Sequence, residues 1–163
     1  GASHGTATDL APLIYEVVDD MSPLAHQAGL NLYIVTPPHL PHTVIHAEQM
    51  RMILRNLLDN AIKYTPAGGQ VMVEAGSVED AVEIRVTDTG LGIPTEALPH
   101  VFDRFYRVDK ARERSQGGSG LGLALARSLT ETNGGTISVT SQPGVGTTFT
   151  LRFPPMRPAS APA

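Results

Sequence analysis

The sequence predicts a mixed α/β (α+β) fold built as one domain. A long segment with helical periodicity and two pairs of alternating segments separated by turns indicate both helices and strands. A chain of 163 residues with 41% apolar residues can bury a single core. The absence of cysteine excludes a disulfide framework and thiolate chemistry.

Three segments are predicted to be helices. The first covers residues 9–28, with Thr8 or Asp9 as the N-cap and a glycine directly after its end. The second, Ala47–Tyr64, has apolar residues at intervals of three and four and is the clearest element of the chain. The third covers residues 121–132 and ends at an Asn-Gly-Gly stop.

Five short segments show the alternation or composition of strands. The first ends at a proline-rich stretch, and the other four form two predicted hairpins, around the polar turns 76–80 and 143–146. The predicted strands are residues 30–36, 70–75, 82–88, 136–141 and 147–153.

Three parts of the chain lie outside this pattern. Residues 91–118 mix glycine, proline, aromatic and charged residues without a sustained period, so we interpret them as a lid that is mobile without a ligand. Residues 1–8 are expected to be a leader or linker remnant, and residues 154–163 a disordered Pro/Ala-rich tail. The folded domain is therefore expected to cover residues 9–153.

Charge and hydropathy exclude several function classes. A formal net charge of -4 gives no global attraction to nucleic acid or to an anionic membrane, so phosphate would need a local pocket. No apolar run approaches the ~20 residues that span a bilayer. We therefore expect a soluble fragment, with the cytoplasm as its default compartment.

Three polar residues of the second helix form one row. Asn56, Asn60 and Lys63 lie at i, i+4 and i+7, within an arc of roughly 60° opposite the apolar stripe. Amide oxygens suit a hard cation and an ammonium group suits phosphate. An ordinary solvated helix face fits the same row equally well.

Two glycine-containing segments give this row a context. Asp88 closes a predicted strand ahead of Gly90 and Gly92, and its carboxylate could accept a hydrogen bond from adenine, although the same pattern is common in strand-ending turns. Residues 117–122 immediately precede or open the third helix, where backbone amides could hold phosphate oxygens; otherwise they form a flexible loop. Residues 109–116 are charged and polar instead of forming a buried strand, which excludes a dinucleotide-binding loop.

Five motifs in a fixed order resemble those of sensor histidine kinases. They correspond to the N box, the first glycine box, the F box, the second glycine box and the last glycine box of that family, and together they span nearly the whole chain. The motifs are NLLDNAIKYT (56–65), DTGLG (88–92), FDRFYR (102–107), GSGLG (118–122) and GVGTTF (144–149).

The resemblance implies the Bergerat fold, a two-layer sandwich with a mixed, mostly antiparallel five-stranded sheet, about three helices on one face and an ATP lid. It implies an ATP-binding catalytic domain that uses ATP and Mg²⁺ to phosphorylate a histidine in two-component signalling. The implied partners are ATP, the dimerisation and phosphoacceptor domain of the parent kinase, and a response regulator receiver domain, without nucleic acid or direct membrane contact. The isolated piece would be a monomer, from a parent that a membrane segment could anchor.

The resemblance also assigns roles to individual residues. Asn60 would coordinate Mg²⁺, with Asn56 and Lys63 near the phosphate chain. Asp88 would contact adenine with the support of Thr147. Further nucleotide contacts are implied for Tyr64, Gly90, Gly92, Ile93, Gly118, Ser119, Gly120, Leu121, Gly122 and Leu123.

The implied catalytic residues are Asn56, Lys63, Arg107 and Arg112, with the two arginines near the γ-phosphate. The alternatives are an ATPase of the gyrase, mismatch-repair or chaperone type, an anti-sigma serine kinase, or a nucleotide-binding regulatory module without catalysis. The ATPases and the serine kinases carry a glutamate where this chain has Asn56, and an amide cannot take a proton at neutral pH. A phosphate-accepting imidazole needs no such base.

Four further residues have simple structural interpretations. Phe102, Phe105 and Tyr106 are expected to anchor the lid to the body of the domain and to take no part in catalysis. His46 precedes the second helix at a position where relatives usually have aspartate, which predicts a weaker helix cap.

Overall fold

A computed structural model describes residues 5–106 and 122–156. Within these residues, three helices, seven strands and a short 3-10 helix at Leu98–His100 are present. The helices are α1 (Leu10–Gln27), α2 (Ala47–Tyr64) and α3 (Gly122–Thr132). The strands are β1 (Thr6–Thr8), β2 (Asn31–Val35), β3 (Thr43–Ile45), β4 (Gln70–Val78), β5 (Ala81–Asp88), β6 (Thr136–Gln142) and β7 (Gly146–Phe153).

The main sheet has the strand order β2-β4-β5-β7-β6. The first pair is parallel and the other three pairs are antiparallel. A parallel pair needs a crossover connection, and α2 lies in the segment that joins β2 to β4. The predicted mixed, mostly antiparallel sheet and its two hairpins are confirmed.

The core lies between this sheet and the helices. The apolar stripe of α2 is buried in full, as its periodicity predicts: Met50, Ile53, Leu54, Leu57, Leu58, Ala61 and Ile62. Alternate residues of β5 and β7 are buried on the facing side of the sheet, with the largest side chains at Phe149 and Phe153. Helices on one face of a single sheet make the predicted two-layer sandwich.

The β4–β5 hairpin is tighter than its sequence suggests. The predicted turn at 76–80 is wrong, because both strands continue and only Glu79 and Asp80 connect them. These residues have φ values of 53° and 67°, the conformation of a two-residue hairpin turn that glycine or asparagine usually occupies. Aspartate tolerates this conformation. Because neither turn residue is a glycine, the position of this turn could not be recognised from the glycines of the sequence.

A second, two-stranded sheet joins β1 to β3, and neither strand is predicted from the sequence. Residues 6–8 of the expected leader form β1, which pairs antiparallel with residues 43–45. Thr43 is buried, and its hydroxyl donates to the carbonyl of Pro154 at 3.3 Å. The sheet therefore holds the chain before α1 and the chain after β7 close to the start of α2.

The start of α1 is held by Asp9, the predicted N-cap. One carboxylate oxygen of Asp9 accepts from the backbone N–H groups of Ala11 and Leu40, at 3.0 and 2.9 Å, and the other lies 2.8 Å from His39 Nδ1. Burial acts to raise the pKa of Asp9, but the hydrogen bonds from Leu40, His39 and Ala11 outweigh it and hold the pKa below its ordinary value. The ionised carboxylate is therefore favoured by folding.

We expect Asp9→Ala to cost about 1 kcal/mol of unfolding free energy at neutral pH, the usual cost of losing an N-cap. Because the folded pKa is lowered, this contribution is present above the unfolded value of about 3.9 and is lost as the pH falls through the folded value. Denaturant unfolding of the unsubstituted domain and of Asp9→Ala, from neutral pH down to the folded pKa of Asp9, measures the difference in unfolding free energy. Asp19→Ala, at an exposed position on the same helix, is the control, and a pH-independent difference for Asp9→Ala would contradict the proposed linkage.

No helix among the described residues is long and apolar enough to cross a bilayer. The second half of the predicted lid, from residue 107, lies outside the described residues, as do residues 1–4 and 157–163.

Candidate functional site

Asp88 lies at the end of β5 and is almost completely buried, with 5% of its surface exposed. Burial raises the pKa of its carboxyl group, and hydrogen bonds from the backbone N–H groups of Gly90 and Thr147 act in the opposite direction. The bond from Gly90 to Oδ1 measures 2.8 Å. An acceptor is therefore held in a fixed orientation, in surroundings where a hydrogen bond from a ligand is strong.

Thr147 and Ser141 extend this arrangement across the β6–β7 hairpin. Their hydroxyl oxygens are 2.8 Å apart, and Ser141 also accepts from the Ile93 N–H at 2.7 Å and donates to the Gly146 carbonyl at 3.0 Å. A hydroxyl carries one proton, so with Ser141 donating to Gly146 the shared bond is donated by Thr147. The first residues of the predicted lid are thereby held next to the β6–β7 hairpin. Ser141 was not predicted, because its role depends on the strand register.

Two glycines let the chain after β5 approach its neighbours. A Cβ atom at Gly90 would collide with the Tyr64 carbonyl, and the next residue, Leu91, donates its N–H to that carbonyl at 3.3 Å. Gly92 has a φ of +75°, and a Cβ atom there would collide with the Gln142 carbonyl. The end of α2 and the end of β5 are consequently in direct contact.

The predicted polar row lies on α2. Asn56, Asn60 and Lys63 are half-buried, and neither asparagine side chain forms a hydrogen bond among residues 5–106 and 122–156. Lys63 Nζ lies 3.1 Å from the Asp59 carboxylate, an i,i+4 ion pair that was not predicted. Two amide groups and one ammonium group are thus presented along one edge of the helix.

The start of α3 lies next to this row. Gly122 is its first residue, and a Cβ atom there would lie 3.9 Å from Asn56 Oδ1. The first backbone N–H groups of a helix have no partner within the helix and carry partial positive charge, so they favour an anion beside Asn56. Leu123 is half-buried against the core. Residues 118–121 and the two predicted catalytic arginines, Arg107 and Arg112, lie outside the described residues.

The aromatic residues of the lid do not share one role. Phe102 packs edge to face on Phe149, with ring centroids 5.9 Å apart, and the Arg127 guanidinium lies 5.8 Å from the same ring. This confirms the predicted anchor for Phe102. Phe105 is 64% exposed and has a φ of 66°, so the predicted anchoring by Phe105 is wrong. Tyr106 lies against His100, with ring centroids 5.3 Å apart.

Comparison with known proteins agrees with this geometry. Residues 45–157 match the family model described as histidine kinase-, DNA gyrase B-, and HSP90-like ATPase. Among curated proteins, the sensor-like histidine kinase SenX3 of Mycobacterium tuberculosis is 38% identical over 151 residues, covering 91% of this chain and 36% of SenX3. The sensor histidine kinase WalK of Bacillus subtilis is 45% identical over 112 residues, covering 68% of this chain and 18% of WalK.

A solved structure extends the likeness to the fold. Full-length ShkA in complex with AMPPNP superposes with a TM-score of 0.79 and 31% identity, covering 94% of this chain and 31% of ShkA. The chain therefore belongs to the family of histidine kinase-, DNA gyrase B-, and HSP90-like ATPases, as the ATP-binding catalytic domain of a sensor histidine kinase. It spans about a fifth to a third of the length of these relatives.

Proposed function

We propose that this domain binds Mg²⁺-ATP and transfers the γ-phosphoryl group to a histidine on a separate dimerisation and phosphoacceptor domain of its parent kinase. The observation that carries the proposal is Asn56, an amide beside the start of α3 at the position where hydrolytic relatives carry a glutamate. Asn56 cannot act as the base that the glutamate provides in those relatives. The site therefore suits a nucleophile that can attack phosphate without first losing a proton. The imidazole nitrogen already has a free electron pair.

Asn60 fits a magnesium ion that is bound together with the nucleotide. Mg²⁺ takes one or two oxygen ligands from a protein and completes its shell with phosphate oxygens and water. Asn60 supplies one neutral oxygen, and its side chain forms no hydrogen bond within the described parts of the chain. In those parts, no group of three or more His, Cys, Asp or Glu residues could hold a metal without the nucleotide. Bound Mg²⁺ would neutralise phosphate charge.

The remaining roles are those that the motifs of the family assign to these residues. Asp88 accepts a hydrogen bond from the adenine amine, and the α3 amides together with Lys63 hold the phosphate chain. Arg107 and Arg112 stabilise the charge of the transferring group. The imidazole nitrogen forms a bond to the γ-phosphorus while the bond from that phosphorus to the β,γ-bridging oxygen breaks, and ADP leaves.

The proposal includes the setting of the reaction. The parent kinase passes the phosphoryl group from its histidine to a response regulator receiver domain. The domain acts in the cytoplasm, where ATP is available, and the isolated piece is a monomer because dimerisation belongs to the acceptor domain.

Radiolabelled ATP tests the proposal with two proteins, the isolated domain and a purified dimeric acceptor domain. We expect very slow hydrolysis by the isolated domain and labelled histidine when the acceptor is added, since positioning alone permits transfer only to an available nucleophile. An acceptor domain in which the histidine is replaced by alanine is the control. Rapid hydrolysis without acceptor would indicate an ATPase, and no label on several related acceptors would indicate a regulatory module.

A further inference from the structure

Asn133, directly after α3, uses its side chain to join two helices. Its Oδ1 accepts from the backbone N–H of His46 at 2.8 Å, and its Nδ2 lies 2.8 Å from both Gln49 Oε1 and the Leu129 carbonyl. Its own backbone N–H donates to the Leu129 and Thr130 carbonyls at 3.1 Å, which fixes it to the end of α3. The residue is half-buried between α3 and the start of α2.

These contacts replace a local cap on α2. His46 is the N-cap residue, and its side chain forms no cap hydrogen bond. Gln49 is the third residue of the helix, from which a glutamine in a capping box would reach back to the N-cap N–H. Here the Asn133 amide stands between the two groups, accepting from the His46 N–H and donating to the Gln49 side chain. The cap of α2 is thus completed by a residue from the end of α3.

The joint that Asn133 makes between α2 and α3 lies at the end of α3, whereas Gly122, beside Asn56, lies at its start. α2 and α3 pack against each other, with the start of α2 beside the end of α3 and Asn56 beside Gly122. From the joint, Asn56 and Gly122 are each about ten residues away, or ~15 Å along the helices. A sliding of α3 at the joint would therefore move its first amides relative to Asn56 by a similar amount.

We propose that Asn133 is a positioning residue for phosphate binding, which sets the register of α3 against α2 and so places the α3 amides opposite Asn56. The proposal rests on the proposed nucleotide site. It predicts that the loss of Asn133 affects binding of the phosphate chain and spares adenine, because Asp88 is held by β5 and β7 and not by α3.

The test compares affinity for ATP with affinity for adenosine, by calorimetry and by NMR titration. Asn133→Ala removes all three side-chain bonds, and we expect ATP affinity to fall about tenfold with adenosine affinity unchanged. His46→Ser in the same background creates a Ser-x-x-Gln capping box within α2 alone. Asn31→Ala is the control, at an exposed asparagine on β2.

The double variant separates positioning from stability. We expect His46→Ser/Asn133→Ala to regain thermal stability without regaining ATP affinity, because a local cap does not tie α2 to α3. Recovery of both, or an equal loss of ATP and adenosine affinity in Asn133→Ala, would overturn the proposal. If Asn133→Ala does not fold, Asn133→Asp is the milder variant. It keeps the bond from His46 and loses both donated bonds, so we expect a smaller fall in ATP affinity with adenosine affinity again unchanged. Binding is measured without an acceptor domain, so a failure of histidine phosphorylation would leave this result intact.

Discussion

Asp88→Asn is expected to weaken ATP binding by about 1 to 3 kcal/mol, or roughly fivefold to 150-fold. A carboxylate only accepts hydrogen bonds, whereas an amide can turn its NH₂ group toward the adenine amine and place two donors together. The effect is large because Asp88 is buried, where a mismatched polar contact cannot be replaced by water.

The same substitution should leave the empty domain as stable or more stable. Burial raises the folded pKa of Asp88, so the ionised carboxylate lowers stability as the pH rises from the unfolded value of about 3.9 through the folded value. The amide carries no such cost, and its oxygen can still accept from the N–H group of Gly90. Affinity and stability are therefore expected to change in opposite directions.

Calorimetry with ATP and thermal unfolding across pH 4 to about 8 measure the two effects. Asp80→Asn is the matched control, since Asp80 is exposed in the β4–β5 turn at the other end of the sheet. Unchanged ATP affinity in a folded Asp88→Asn protein would remove Asp88 from the adenine site.

The fold was predictable where a pattern is long. The apolar stripe of α2 runs from Met50 to Ile62, more than three turns of the helix, and this length is enough for its periodicity to identify the helix and the residues buried on that face. The two strands of the small sheet, Thr6–Thr8 and Thr43–Ile45, are each three residues long and pair across the first helix. A segment of that length cannot show a period, and its partner depends on tertiary packing.

The residues of the candidate site could be predicted where an ordered set of motifs assigns a residue type to a fixed place. Asn56, Asn60 and Asp88 were identified in this way. The structure places Asn56 beside the first residue of α3, and Asp88 bonds Gly90, which lies against the last residue of α2. Ser141 and Asn133 were missed. Asn133 contacts a residue 87 positions away, and its bonding depends on how two helices pack, which no local pattern records.

The other large effect is expected at Asn60, where two substitutions should change the metal dependence of ATP binding in opposite directions. Asn60→Ala removes an oxygen ligand and should bring the affinities with and without Mg²⁺ closer together. Asn60→Asp adds a negative charge near the phosphates, with a repulsion of up to about 4 kcal/mol at ~4 Å when no metal is present. Bound Mg²⁺ would offset this repulsion, so the ratio of the two affinities should rise.

Calorimetric titration of ATP in the presence of Mg²⁺ and in the presence of a chelator gives this ratio for each protein. Asn31→Asp makes the same chemical change at an exposed position on β2 and should leave the ratio unaltered, which controls for the change in net charge. We expect Asn60→Asp to raise the ratio of ATP affinity with Mg²⁺ to ATP affinity without it by at least about tenfold. We expect Asn60→Ala to lower this ratio toward one. Both substitutions should change the metal dependence only if residue 60 contacts the ion directly. Metal titrations of both variants that match the unsubstituted domain would show that Asn60 does not coordinate the ion.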